Sequence, residues 1–308
     1  MDEDTLPYGA GAGEGAPGRA GDGTRHVDAP PGPLVDAHWL AARLGRAGLL
    51  VFDASVGAHR GAGQRIAGAR RFDIDGALSD PTGPLPHTMP DAGRFTEELR
   101  SLGLHDGDTV VVYDAVGIYS SARAWWMLRA MGFDRVAVLD GGLPGWAAAG
   151  LPMEDGEPAV PAERGDFTAR PRAGLLVGAD EVAAALSDPA SAVFDARSRE
   201  RFLGTAPEPR PGLRRGHMPG AVSLPFGELQ HEGRMRPAAE LRAAFAGPAQ
   251  GREQLIFSCG SGVTACVLTL GAALAGYRDL AVYDGSWSEW GLPSEHRPAV
   301  TDGPARAG

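Results

Sequence analysis

Only two cysteines occur in the 308-residue chain, Cys259 and Cys266. Cys259 follows a β-rich apolar run, 254–258 (QLIFS), and precedes a short loop and then an apolar helical pattern. In open parallel α/β sheets, ligands bind just past the carboxyl ends of the strands, and Cys259 occupies such a place. Gly260 and Gly262 let the loop curl tightly, with backbone N–H groups turned inward. Those groups, through Val263 and Thr264, and the start of the following helix favour negative charge at the centre of the loop. The thiolate is the nucleophilic form of cysteine, so these residue types at this spacing point to attack by Cys259 on a small substrate. A free cysteine often serves merely as a small buried apolar residue. That reading suits Cys266, which shares an apolar stripe with Val263, Val267, Leu270 and Leu274. It suits Cys259 poorly, at a strand end with two glycines beside it.

Other chemistries of this residue set are disfavoured. Two cysteines in one helical segment make no disulfide framework, and that usage fits a reducing, cytoplasmic compartment. The pair, with no histidine nearby, lacks the ligand spacing of a zinc site. A cysteine phosphatase requires an arginine closing the loop to hold phosphate. Position 265 is Ala265, and no Lys or Arg lies between Cys259 and Arg278. Hydrolase elbows and nucleotide-binding loops are missing, and the glycines of GAGAGEG near the N-terminus follow no strand.

The elements that must hold the loop are written twice. VFDAS at 51–55 pairs with VFDAR at 193–197, VVVYDAVG at 110–117 with LIFSCGSG at 255–262, and VLDGGLPGW at 138–146 with VYDGSWSEW at 282–290. This is a tandem duplication. Buried β-rich runs alternate with helical patterns such as 36–45 and 180–188, each opening with Asp near its N-cap. The expectation is an α/β fold, with a parallel sheet in each half and helices on both faces. Residues 1–31 read as a disordered tail, 32–150 as a first domain, 151–173 as a Pro/Gly-rich linker, 174–297 as a second domain and 298–308 as a tail. A net charge of −10 gives no footprint for nucleic acid or an anionic membrane. The longest apolar stretch, 263–277, is shorter than the roughly 20 residues a bilayer span needs, and the acidic N-terminus has no apolar core of a secretory signal.

Together, CGSGVTAC at 259–266, GHMPGAVSLPF at 216–226 and DGSWSEW at 284–290 resemble the tandem-domain rhodanese family of sulfurtransferases. The loop resembles the 3-mercaptopyruvate branch, because the thiosulfate branch carries basic residues where this chain has Gly260 and Ser261. The resemblance spans about residues 32–297 and implies two rhodanese-like domains. It implies a first domain without a nucleophile, whose loop reads YDAVGIYSSAR at 113–123.

The substrates that fit are small anionic sulfur donors, and an anion calls for arginine, whose planar guanidinium pairs bidentately with carboxylate. The segment 197–212 supplies several, and Arg201 and Arg210 match the family's substrate-binding pair. Arg197, Arg199, Arg214 and Arg215 are left as structural, and so are His217 and His231. In the family an Asp and a His of the first domain approach the loop serine, which implies Asp75, His87 and Ser261 here. The resemblance further implies a persulfide on Cys259, no metal or organic cofactor, and a thiol or thioredoxin-like protein as acceptor, with cyanide serving in the assay. Thiosulfate as donor, or a non-catalytic sulfur-carrying module, are the alternatives.

Overall fold

Each sheet is built from runs whose alternate residues are apolar on both sides, so both faces must be covered. The computed structural model describes residues 27–302 except 62, 157–159 and 162. The first half contains β1 (Leu34–Val35), α1 (Ala37–Ala41), β2 (Leu49–Asp53), β3 (Gln64–Ile66), β4 (Arg70–Arg71), α2 (Ala92–Ser101), β5 (Thr109–Tyr113), α3 (Ser121–Ala130), β6 (Val136–Leu139), α4 (Gly142–Ala148) and β7 (Met153–Asp155). The second contains β8 (Leu176–Val177), α5 (Ala179–Ala185), β9 (Ser191–Asp195), α6 (Arg199–Leu203), β10 (Val222–Ser223), β11 (Gln230–His231), β12 (Arg234–Met235), α7 (Ala238–Ala246), β13 (Gln254–Ser258), α8 (Ala265–Ala275), β14 (Asp279–Tyr283) and α9 (Ser286–Trp290).

Among the described residues, β1-β6-β5-β2-β4 and β8-β14-β13-β9-β10 form two parallel sheets with the same strand order. Alternation along the strands divides the core. Phe52, Val110, Val112 and Val138 face one layer with Phe95 of α2 and Leu128 of α3. Val51, Val111, Ala137 and Leu139 face the other with Leu40 of α1 and Trp146 of α4. The second sheet repeats this, with Phe194, Leu255 and Phe257 under α7 and α8, and Val193, Ile256 and Ala281 under α5 and α9. The α2/α3 layer and the α7/α8 layer merge into one core.

That merger changes one expectation. The helix after Cys259 does not carry a single core-facing stripe; every residue of α8 from Ala265 to Ala272 is buried. It lies between its own sheet and α3 of the other half. The segment expected as a linker is laid along the first domain. β7 pairs antiparallel with β3, Phe167 enters the core, and its N–H bonds Leu104 O at 3.1 Å. The expected N-terminal tail lies outside the described residues up to residue 26. Val27, however, is buried, and its carbonyl accepts from the Thr109 hydroxyl at 3.1 Å. At the other end Val300 exchanges both backbone hydrogen bonds with His217, so the expected C-terminal tail is packed through that point, and residues 303–308 lie outside the described residues. Asp36 caps α1 through Trp39 N at 2.7 Å, as its position suggests. In the second domain the cap residue is Gly178, whose N–H bonds Glu181 at 2.8 Å, while Asp180 stands inside the first turn.

Candidate active site

β13 delivers Cys259 to the carboxyl edge of the second sheet, and the segment after β14 clamps the loop that follows. Cys259 O accepts from Trp287 N at 2.9 Å, and Gly260 O accepts from Ser288 N at 2.8 Å and from its hydroxyl at 2.6 Å. Ser286 Oγ accepts from both Cys259 N and Gly262 N, each at 3.1 Å, and donates to Tyr283 O. Ser286 holds a left-handed φ of 49° to do so, a strained conformation for a non-glycine residue. Gly262 needs its own φ of 76°, and a Cβ there would lie 2.9 Å from Asp284 O. The expectation of a fully inward-turned cradle is therefore corrected in part: the N–H groups of Cys259 and Gly262 are spent on Ser286. Those of Gly260, Ser261, Val263 and Thr264 have no protein acceptor among the described residues.

The first domain displays what such a loop is suited to hold. Asp114 stands at the end of β5 as Cys259 stands at the end of β13. One carboxylate oxygen accepts from the N–H groups of Tyr119, Ser120 and Ser121 at 2.8, 3.0 and 2.9 Å, and from the Ser121 hydroxyl. The other accepts from Val116 N at 3.1 Å. This loop geometry is thus an anion cradle, filled in the first domain by its own side chain.

Ser261 is brought to two groups from distant parts of the chain. His87 Nδ1 lies 2.9 Å from its hydroxyl, and His87 Nε2 lies 3.0 Å from Asp75 Oδ1. The second Asp75 oxygen accepts from Gly57 N at 2.6 Å, which fixes the carboxylate. A carboxylate can only accept, so Nε2 carries the ring proton and Nδ1 accepts from Ser261. Burial lowers the proton affinity of His87, and the Arg210 and Arg123 charges lower it further; Asp75 works the other way.

Arg201 and Arg210 flank the loop at Gly260, where a Cβ would meet Arg201 Nη2 at 3.2 Å and Arg210 Nη1 at 3.8 Å. Arg201 is steadied by buried Glu208 at 2.5 Å. Glu208 also binds Arg197, a fully buried side chain paired with Asp195 and lying over the Trp287 ring at 4.1 Å. Arg197 is thus a brace for Arg201. Arg210 makes no ion pair among the described residues, and its one hydrogen bond there goes to Ser261 Oγ at 3.5 Å, so its charge is open to a ligand. Arg199 and Arg214 hold surface and C-terminal contacts, and His217 stacks on Phe202 with ring centroids 3.8 Å apart. Cys266 donates to Gly262 O, and burial pushes its thiol up to about 12, which keeps it protonated and unreactive.

Sequence reading misses Tyr119, Glu208, Arg123, Asp284 and Ser286. Tyr119 comes from the first domain and feels Cys259, Arg201 and Arg210; burial, and then the Cys259 charge, push its phenol up, so it remains a hydrogen-bond donor. The repeated Asp-Gly turn before Trp was the signal for Asp284 and Ser286.

The fold and site define a two-domain α/β protein with a cysteine loop walled by arginines, whose serine is met by a histidine and an aspartate from across the domain boundary. The chain belongs to the rhodanese family: the rhodanese-like domain matches at residues 36–149 and again at 178–292. It is 40% identical over 272 residues to the 3-mercaptopyruvate sulfurtransferase of Escherichia coli strain K12, covering 85% of this chain and 96% of that one. It is 37% identical over 308 residues to thiosulfate/3-mercaptopyruvate sulfurtransferase 1, mitochondrial, of Arabidopsis thaliana, covering 91% and 81%. The crystal structure of SseA from Escherichia coli, a 3-mercaptopyruvate sulfotransferase, superimposes with a TM-score of 0.74 at 37% identity, over 84% of this chain and 100% of that one.

Proposed function

We propose that this protein is a sulfurtransferase that moves sulfur from 3-mercaptopyruvate, through a persulfide on Cys259, to a thiol or cyanide acceptor. One observation carries the reading: the loop that bears Cys259 places the Ser261 hydroxyl between His87 and Arg210, beside a second arginine held by Glu208. Arg201 and Arg210 grip the carboxylate and keto oxygen of the donor. The Cys259 thiolate attacks the donor sulfur, an S–S bond forms, and the C–S bond breaks with its electron pair passing to carbon. Pyruvate leaves as its enolate and is protonated. Ser261, held in place by His87 and Asp75, turns its one hydroxyl proton from His87 Nδ1 toward the charge that develops during the transfer. The free N–H groups of Gly260, Ser261, Val263 and Thr264 are available to the persulfide, and the counterparts of two of them, Val116 and Tyr119, donate to Asp114 in the first domain. The acceptor thiol then attacks the outer sulfur and releases the Cys259 thiolate; a reduced thioredoxin-like protein suits this step. No metal or organic cofactor enters these steps. The doubly named Arabidopsis relative makes thiosulfate a second donor to test. No helix among the described residues is long and apolar enough to cross a membrane.

The test compares kcat/KM for 3-mercaptopyruvate and thiosulfate, with cyanide as acceptor, in the wild type and in Cys259→Ser. Preference for 3-mercaptopyruvate, abolished in the variant together with the mass increase of about 32 Da that one added sulfur atom gives the persulfide, supports the whole scheme. Preference for thiosulfate would keep the nucleophile and overturn the donor. Turnover by Cys259→Ser would overturn the nucleophile.

A further inference from the structure

Arg123 is the third residue of α3, in the domain without the nucleophile, and its side chain is wholly buried. Its Nη2 donates to the backbone carbonyl of His87 at 2.8 Å and to Asp284 Oδ1 at 2.6 Å. The other oxygen of Asp284 accepts from Met89 N at 2.8 Å. The pair therefore grips the chain at and just beyond His87, whose φ of 62° is a left-handed conformation that a non-glycine residue rarely holds unaided. On its other side the pair touches the cysteine loop. A Cβ on Gly262 would lie 2.9 Å from Asp284 O and 3.3 Å from Arg123 Nη1.

Stability does not explain this arrangement. Desolvating two charges costs about as much as their attraction returns, and apolar residues of similar volume commonly do as well. Arg123 Nε and Nη1 meet the geometry of no hydrogen bond among the described residues, and beyond the bonds of Nη2 the guanidinium has only the weakly accepting Cys266 thiol beside it, which adds to the cost. What an arginine-aspartate pair supplies here, and an apolar pair could not, is a fixed set of hydrogen bonds to a strained backbone.

We propose that Arg123 and Asp284 are positioning residues, a latch of one buried and one partly exposed charge that holds His87 in its strained conformation so that its ring meets Ser261. The proposal rests on the reading of Ser261 and His87 as parts of the sulfur-transfer site. The charged groups that face His87 are Asp75, Arg210, Arg123 and, through Arg123, Asp284. Removing the Arg123 charge withdraws one influence that holds the imidazole neutral, so protonation of His87 moves to higher pH.

The experiment uses the full chain with Arg123→Met, Arg123→Lys and the double variant Arg123→Met/Asp284→Asn, the last leaving no unpaired buried charge if the first fails to fold. Three quantities are read: the His87 titration by NMR, the acid limb of kcat/KM, and kcat and KM separately. In the methionine variants the His87 titration and the acid limb should move up together, and kcat should fall roughly tenfold or more with KM nearly unchanged, as loss of orientation demands. Arg123→Lys should keep the His87 titration near that of the wild type and recover part of kcat. Variants that lose thermal stability while kcat and the His87 titration stay at wild-type values would overturn the proposal. A wild type inactive with both donors would overturn the functional reading instead, and the NMR titration would still decide the latch.

Discussion

His87 is a ring held by two partners of opposite kind, a carboxylate at Nε2 and a hydroxyl at Nδ1. Its depressed proton affinity has a definite consequence for activity. A histidine ordinarily titrates near 6.5. With that value lowered, the neutral form persists into more acid solution, so the rate should hold through neutrality and fall only as pH drops below the usual histidine range. Asp75 is the influence that raises proton affinity, so Asp75→Asn should move the acid limb of kcat/KM to still lower pH. The same variant should lower kcat/KM by roughly 10- to 100-fold, because the ring loses the partner that fixes its tautomer. A pH–rate profile of the two proteins checks both. A limb that stays in place would mean that His87 is not the titrating group. Gly260 illustrates how far residue types alone can be read: its presence signals a tight loop. Its space is occupied by two arginine heads that arrive from 50 or more positions away, and only the fold shows this.

At the scale of elements, the two cysteine-loop positions are the same device with different occupants. In the first domain the Asp114 carboxylate saturates the N–H groups ahead of α3. Asn in its place keeps the shape, loses the charge and turns one acceptor into a donor facing N–H groups. Charge-assisted hydrogen bonds contribute about 1.5–3 kcal/mol each, and removing one partner costs more than an exposed substitution does. Asp114→Asn should therefore destabilise the protein by about 2–4 kcal/mol, read by urea denaturation, with kcat altered far less than stability. A variant as stable as the wild type would mean that the first loop needs no anion. The strands, the loop and the duplication are legible in the sequence because each is a local pattern: an apolar run, a pair of glycines, a repeated Asp-Gly before Trp. The Asp75-His87-Ser261 chain is legible only through resemblance, since nothing local links positions 75, 87 and 261. Arg123 and Asp284 look like an ordinary helix-face charge and a turn residue, and their pairing spans 161 positions. The all-round burial of α8 is hidden for the same reason, since its second buried face exists only because α3 packs there.

The whole molecule is two domains by chain order and one body by packing. The layer holding Phe95, Trp126 and Leu128 is continuous with the layer holding Phe245, Leu268 and Leu270. Hydrogen bonds cross the same boundary, from Met235 N to Asp140 at 3.0 Å, from Arg123 to Asp284 at 2.6 Å and from Met89 N to Asp284 at 2.8 Å. The proposed site straddles that boundary, with Cys259 and Ser261 on one side and His87 on the other, so the packing of the seam keeps His87 in register with Ser261. Such a seam should make the halves unfold together. Calorimetry should show one transition for the full chain, with the calorimetric and van 't Hoff enthalpies equal. Trp126 tests this directly. It sits in the shared layer, and its indole N–H bonds Leu175 O at 2.9 Å, just before β8. Trp126→Ala removes a large buried ring at a cost of about 3–5 kcal/mol and should lower the single Tm by roughly 10 °C. Two resolved transitions, with only the first-domain one shifted, would show that the domains are thermodynamically separate. The register of His87 with Ser261 would then depend on the Arg123–Asp284 latch alone.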